Sequence, residues 1–98
     1  NDFTLMTRRA HTNDEFVDIL KCELTELLSE SAEAGSSRMM NLGLHPHVSG
    51  RAYRMPAIRE FLTFAKSQED VWFATREEIA LWYIKNHEGH ITPALVLP

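Results

Sequence analysis

Residues 38–51, with the sequence RMMNLGLHPHVSGR, carry the main signal for the fold. Residues 38–44 form a short apolar run between turn signals, which is typical of a strand covered on both faces in a parallel sheet. Pro46 cannot donate to a sheet ladder and favours an extended backbone at His45, so the strand should end there. The sequence therefore predicts a strand over 38–44 and a polar loop that begins at His45.

A helix is predicted before this strand. Thr12 and Glu15 have the spacing of a capping box, and acidic residues lie in the positive first turn. Gly35 suits the left-handed conformation that ends such a helix. The apolar residues of the helix follow helical spacing and should face a core: Phe16, Leu20, Leu24, Leu27 and Leu28.

Two more helices and a second short strand are predicted after the loop. Pro56 fits the first position of one helix, and Thr75 and Glu78 repeat the capping-box spacing before another that Gly89 closes. Residues 71–73 are a very short buried strand candidate between them. The second helix should bury Ala57, Ile58, Phe61, Leu62 and Ala65, and the aromatic residues expected in the core are Trp72, Phe73, Trp82 and Tyr83.

Strand and helix patterns thus alternate along residues 1–98, which predicts the parallel β-α units of an α/β fold. With a further strand beside the apolar Phe3 and Leu5, the chain would have three short strands, which would leave the edges of a sheet open, and complete proteins usually cover such edges. We therefore expect a single segment that belongs to a larger barrel or sheet.

Composition excludes several classes of function. The formal net charge of the chain is -4 and no run of Lys or Arg occurs, so nucleic acid is not expected as a partner. No apolar stretch reaches the length of a membrane span, and no signal peptide is visible, which favours the cytoplasm. The chain begins at Asn1 rather than Met, so we expect a native N-terminus to precede it. Cys22 is the single cysteine, which excludes an internal disulfide and a zinc-binding cysteine cluster.

The loop that begins at His45 is the candidate site. Ligands of α/β folds bind beyond the carboxyl ends of parallel strands, where a histidine can act as general acid or base. Arg51 and Arg54 follow in the same loop and could hold an anionic group or a developing oxyanion. In the alternative interpretation, His45 only caps the strand end through a backbone hydrogen bond, and both arginines are solvated.

Two other interpretations of single residues stay open. His45 and His47 could both be metal ligands, although no third ligand stands nearby in the sequence. Asp2, just before the apolar Phe3, could border a strand and orient a basic partner, or could only form a turn.

The residues 38–47 (RMMNLGLHPH), followed by Gly50, Arg51 and Arg54, resemble the C-terminal part of the polysaccharide deacetylase (NodB homology) family. The stretch 70–80 (DVWFATREEIA) and the opening Asn1-Asp2-Phe3 are similar to the branch that contains allantoinase-like and peptidoglycan or chitin deacetylase-like proteins. The chain departs from the family at Gly43, where many members have leucine.

The resemblance implies a distorted β/α barrel and hydrolysis of carbon-nitrogen bonds other than peptide bonds, above all removal of N-acetyl groups from sugars. It maps the catalytic histidine of the family onto His45, as the general acid that protonates the departing amine. Arg51, Arg54 and His47 would contact the substrate. The metal of such enzymes, a divalent ion such as zinc, would be held by residues upstream of Asn1, so the 98-residue segment alone should bind no metal and be inactive.

Several functions remain open at this stage. A relative in the same family could hydrolyse a cyclic amide such as allantoin instead of an N-acetylated sugar. The chain could instead be a non-catalytic remnant that binds a sugar or a protein, or an independent interaction domain. The expected partners are the N-terminal half of the protein, a carbohydrate or small cyclic amide as substrate, and a second copy of the chain in a homo-oligomer.

Overall fold

The computed structural model describes residues 1–88 and consists of helices joined by irregular segments. A short π-helix, Phe3–Arg8, precedes three α-helices: α1 (Asn13–Ala34), α2 (Met55–Lys66) and α3 (Arg76–Asn86). Among these residues, no helix has the length and apolar character needed to cross a bilayer.

The three predicted helices are confirmed, and so are the capping boxes of α1 and α3, whereas α2 begins at Met55, so that Pro56 is its second residue and not its first. The Thr12 hydroxyl accepts from the Glu15 backbone N–H at 3.2 Å, and the Glu15 carboxylate accepts from the Thr12 N–H at 2.9 Å. The same reciprocal pair joins Thr75 and Glu78 at the start of α3. Gly35 has a φ of 66° at the end of α1, a conformation that costs glycine little because it has no Cβ. Gly89, predicted to close α3, and the tail beyond it lie outside the described residues.

The core lies between α1 and α2. Buried side chains from both helices pack together with Met6 of the π-helix and Val48 of the following loop. Leu62, expected on the buried face of α2, is instead 41% exposed. The helical residues that form the core are Phe16, Val17, Leu20, Leu24, Ala57, Ile58, Phe61 and Ala65.

The α/β fold and the barrel expected from the sequence are wrong for the described residues, which contain no strand. A parallel strand forms only when neighbouring strands pair with its backbone, and neither 38–44 nor 71–73 pairs with another strand within residues 1–88. Met40, Leu42 and Val71 instead pack, partly buried, against the helical core. Their apolar character reflects packing on helices, which a short apolar run cannot distinguish from a buried strand.

The aromatic core expected around α3 is also absent. Trp72, Phe73, Trp82 and Tyr83 are between 40% and 56% exposed, and α3 has no buried residue. Within residues 1–88, α3 packs against no other helix. The exposed apolar side chains of α3 include Leu81, Trp82 and Ile84, so the described residues leave part of its apolar surface uncovered.

Candidate functional site

His45 lies at the start of a tight turn that precedes α2. Its carbonyl oxygen accepts from the backbone N–H groups of Val48 at 2.9 Å and Ser49 at 3.0 Å. The prediction that His45 lies in a loop is therefore confirmed, but the loop does not begin there, because residues 37–44 are irregular as well.

The Asp2 carboxylate lies against this turn and is fully buried. The backbone N–H of Asp2 donates to the carbonyl of Gly43 at 3.1 Å, which holds the start of the π-helix beside the segment that leads to His45. Oδ1 accepts from the Phe3 N–H at 2.7 Å, and Oδ2 accepts from the His45 N–H at 2.6 Å. The Ser49 hydroxyl donates to Oδ2 at 2.6 Å.

The fourth partner of the carboxylate is the His45 ring, whose Nδ1 lies 2.6 Å from Oδ1 of Asp2. An ionised carboxylate only accepts hydrogen bonds, so Nδ1 must carry a proton. This contact leaves Nε2 as the ring nitrogen that can exchange a proton with a ligand. The His45 side chain is 44% exposed, so a buried carboxylate orients an imidazole that solvent and ligands can reach.

Burial and hydrogen bonding act in opposite directions on Asp2. Burial raises the pKa of its carboxyl group because it disfavours the charged form. The hydrogen bonds from the His45 backbone, the Ser49 hydroxyl, the His45 ring and the Phe3 backbone outweigh burial and lower this pKa well below its usual value of 3.8. Asp2 is therefore a fixed negative charge at neutral pH.

Asp2 thus does both things that the sequence left open. It forms a local turn-like contact with Phe3, and it orients a basic partner, His45. His45 caps no strand end in the described residues, and its ring and its backbone N–H both bind the Asp2 carboxylate.

The other candidate residues lie around the same loop. The His47 ring packs edge-on against the His45 ring with 5.7 Å between centroids, and the Phe3 ring lies 6.2 Å from His45. Arg54 is bound to the protein itself: its guanidinium donates to the Val48 carbonyl at 3.3 Å and lies 5.0 Å from the Tyr53 ring centroid. Arg51 is exposed in the loop.

A comparison with known proteins bears on this site. Over 75 residues, the chain is 33% identical to a Schizosaccharomyces pombe protein named "Putative polysaccharide deacetylase". The chain is similar to a polysaccharide deacetylase. The match covers 76% of this chain but 23% of the relative, so the chain spans about a quarter of that protein's length. No family model matches the chain, and no solved structure matches it.

The similarity to a polysaccharide deacetylase supports the family resemblance and, coarsely, a hydrolase function. It does not separate the allantoinase-like branch from the others, and it assigns no role to His45. The role of His45 therefore depends on the geometry of its contact with Asp2.

The sequence analysis missed Ser49, one of the residues that bind the Asp2 carboxylate. Its side chain is buried and its hydroxyl binds Asp2, a residue 47 positions away in the chain. The available signal was weak: a small polar residue four positions after the histidine, in a turn. Because the hydroxyl donates to a carboxylate, it is not activated by the histidine as the serine of a Ser-His-Asp triad would be.

Gly50 allows the turn that carries His45 to close. A Cβ added at Gly50 would meet the backbone carbonyl of Pro46 at less than any normal contact distance, and backbone cannot move aside as a flexible side chain can. We expect Gly50→Ala to lower the free energy of unfolding by about 1–3 kcal/mol, because overpacking forces the turn apart. Urea unfolding of the full-length protein measures this change.

The matched control for Gly50 is Gly35. An added Cβ has nothing within 4 Å there, so Gly35→Ala meets only the conformational cost of a positive φ, about 1 kcal/mol. Overpacking at Gly50 should also displace the His45 ring, so Gly50→Ala should shift the NMR signals of this ring while Gly35→Ala leaves them unchanged. Equal behaviour of the two variants would contradict this prediction.

Proposed function

We propose that this chain is the C-terminal part of the catalytic domain of a polysaccharide deacetylase-like hydrolase, in which His45 is the general acid. The observation that carries the proposal is the 2.6 Å contact between Nδ1 of His45 and the buried carboxylate of Asp2. The similarity to a polysaccharide deacetylase supports the class of reaction. We propose N-acetylated sugars or polysaccharides as the substrate.

Removal of an N-acetyl group adds one water molecule across the carbon-nitrogen bond and releases acetate and an amine. The nitrogen leaves readily only when it is protonated, which requires a proton donor on its side of the bond. Protonated His45 would donate the proton on Nε2 to the departing nitrogen, while its Nδ1–H group keeps the hydrogen bond to Asp2. The hydrogen bond to Asp2 would hold the imidazole in the orientation that directs Nε2 toward the departing nitrogen.

Activation of the water and stabilisation of the oxyanion need other groups. The family resemblance implies a divalent metal ion for these tasks. Within residues 1–88, no group of three or more His, Cys, Asp or Glu side chains could hold a metal ion. The described residues do not fit such an ion, so we assign them no step that involves a metal, and we propose that its ligands lie elsewhere in the full-length protein.

The substrate contacts are proposed on the same loop. His47 packs against His45, and Arg51 is exposed a few residues further along, so both can meet a substrate bound at His45. Arg54 binds the Val48 carbonyl, and a contact with substrate would compete with that hydrogen bond. We therefore place Arg51 and His47 nearest to the substrate and give Arg54 a mainly supporting role.

The remaining part of the catalytic domain is also the proposed partner of α3. Leu81 and Ile84 are 59% and 67% exposed on this helix. Burial of such side chains contributes about 1.5–3 kcal/mol each, so a covering surface would stabilise α3. A second copy of the chain in a homo-oligomer is the alternative cover.

Product analysis with the full-length protein tests the proposed function. Incubation with an N-acetylated chitin oligosaccharide should release acetate and free amine in equal amounts. Ring opening of a cyclic amide such as allantoin, without acetate release, would replace the deacetylase by the cyclic-amide hydrolase. Binding of the oligosaccharide with neither product would instead support a non-catalytic binding protein.

A further inference from the structure

Ser49 is a buried polar residue that the proposed mechanism leaves without a role. Its side chain is 3% exposed, and its hydroxyl lies 2.6 Å from Oδ2 of Asp2. Asp2 and Ser49 are the buried polar residues of the described part of the chain. Burial of a hydroxyl is costly without a strong partner, so this contact is a specific part of the site.

Ser49 contacts both halves of the His45–Asp2 pair. Its backbone N–H donates to the His45 carbonyl at 3.0 Å, and its hydroxyl donates to the carboxylate that holds the His45 ring. The turn from His45 to Ser49 is therefore stabilised by a backbone hydrogen bond within it, and the Ser49 side chain binds the turn to Asp2. The two contacts fix the distance between the carboxylate and the backbone that carries the imidazole.

The arrangement of donors around Asp2 shows what the hydroxyl adds. Oδ1 accepts from Phe3 and from the His45 ring, while Oδ2 accepts from the His45 backbone and from Ser49. Without the hydroxyl, Oδ2 keeps one donor and the carboxylate is freer to rotate about its Cβ–Cγ bond. Rotation moves Oδ1 out of line with Nδ1, and charge-assisted hydrogen bonds depend on that alignment.

We infer that Ser49 is a positioning residue, which fixes the rotation of the Asp2 carboxylate and thereby keeps His45 in the tautomer that carries a proton on Nδ1. The hydroxyl contacts neither the His45 ring nor, in the proposed function, the substrate. Its effect on turnover rests on the proposed function of His45, whereas its effect on the tautomer does not.

The tautomer can be measured directly in the full-length protein. Long-range proton–nitrogen NMR spectra, recorded where the imidazole is neutral, distinguish a proton on Nδ1 from a proton on Nε2. In the wild type we expect the Nδ1–H form of His45. In Ser49→Ala we expect a mixture of the two forms and a kcat lowered about 10-fold, with KM changed less than twofold.

Two variants complete the test. Ser49→Thr keeps the hydroxyl and should retain the Nδ1–H form and most of kcat. Ser67→Ala is the matched control, because the Ser67 hydroxyl also makes a 2.6 Å hydrogen bond, to the Phe64 carbonyl at the end of α2. It should leave both measurements unchanged.

If Ser49→Ala does not fold, Ser49→Cys, which keeps the shape of the side chain with a slightly larger atom and a weaker donor, takes its place with the same expectation. A wild-type tautomer in the variant that folds would overturn the inference. If the full-length protein lacks hydrolase activity, the proposed function fails, but the NMR measurement still decides the role of Ser49.

Discussion

In the proposed reaction, replacement of His45 by alanine should lower the turnover of the full-length protein by about 100-fold or more, because the departing nitrogen would lose its proton donor. The buried carboxylate of Asp2 orients the imidazole, and a water molecule that replaces the side chain has no such fixed position from which to donate a proton. We expect the loss in kcat, while KM changes little, since the histidine acts mainly in the transition state. Steady-state rates of acetate release measure it.

His87→Ala is the control for this prediction. His87 is also accessible, and its Nδ1 contacts the Ile84 carbonyl at the end of α3 rather than a carboxylate. The His87→Ala variant should retain full turnover. Unchanged turnover of His45→Ala would remove His45 from the mechanism, even if the protein proves to be a deacetylase.

Asp2→Asn should lower the free energy of unfolding by about 3 kcal/mol, although asparagine has nearly the shape of aspartate. Each carboxylate oxygen accepts from one backbone N–H: Oδ1 from Phe3 and Oδ2 from His45. Whichever way the asparagine amide turns, its NH₂ group faces one of these backbone donors. The Ser49 hydroxyl can rotate and the His45 ring can change tautomer, but a backbone N–H cannot become an acceptor.

The same carboxylate makes stability depend on pH. The pKa of Asp2 is lower in the folded protein than its usual value of 3.8, so the folded state resists protonation of this group. Its stabilising contribution is fully present above about pH 4 and is lost as the pH falls through the folded-state pKa. We therefore expect the free energy of unfolding to decrease below about pH 4, and to decrease less in Asp2→Asn.

Urea unfolding of the full-length protein between pH 2 and pH 7 measures both effects, with Asp18→Asn as the control. Asp18 is exposed on α1, and its replacement should leave the stability at pH 7 unchanged. An Asp2→Asn variant as stable as the wild type at pH 7 would show that the four hydrogen bonds contribute little.

The helices could be predicted from the sequence because their signals are local. Thr12 with Glu15, and Thr75 with Glu78, lie three residues apart and bind each other in the structure. The sheet could not be assessed in this way, because a strand depends on partners elsewhere in the chain. The apolar run 38–44 has the composition of a strand, but within residues 1–88 it packs against helices.

The candidate site, too, was predictable from the sequence only where its signals are local. Pro46 and the end of the apolar run located His45 in a loop, which local preferences determine. Its contact with Asp2 joins residues 43 positions apart, and no spacing rule reaches that far. The sequence suggested that Asp2 could orient a basic partner, but it did not show which residue. The contacts of Asp2 with His45 and Ser49 depend on how α1 brings the N-terminal segment and the loop together.

The hydrogen bond between Asp2 and His45 closes a loop of the chain that contains the whole of α1. Closing a loop of this length costs about 3 kcal/mol of chain entropy, so the contact is unfavourable until other interactions have shortened the path between its ends. The formation of α1 and its packing on α2 shorten the path between Asp2 and His45. We therefore expect the imidazole to be oriented late in folding, and a chain with an unfolded N-terminal segment to keep the histidine but not its orientation.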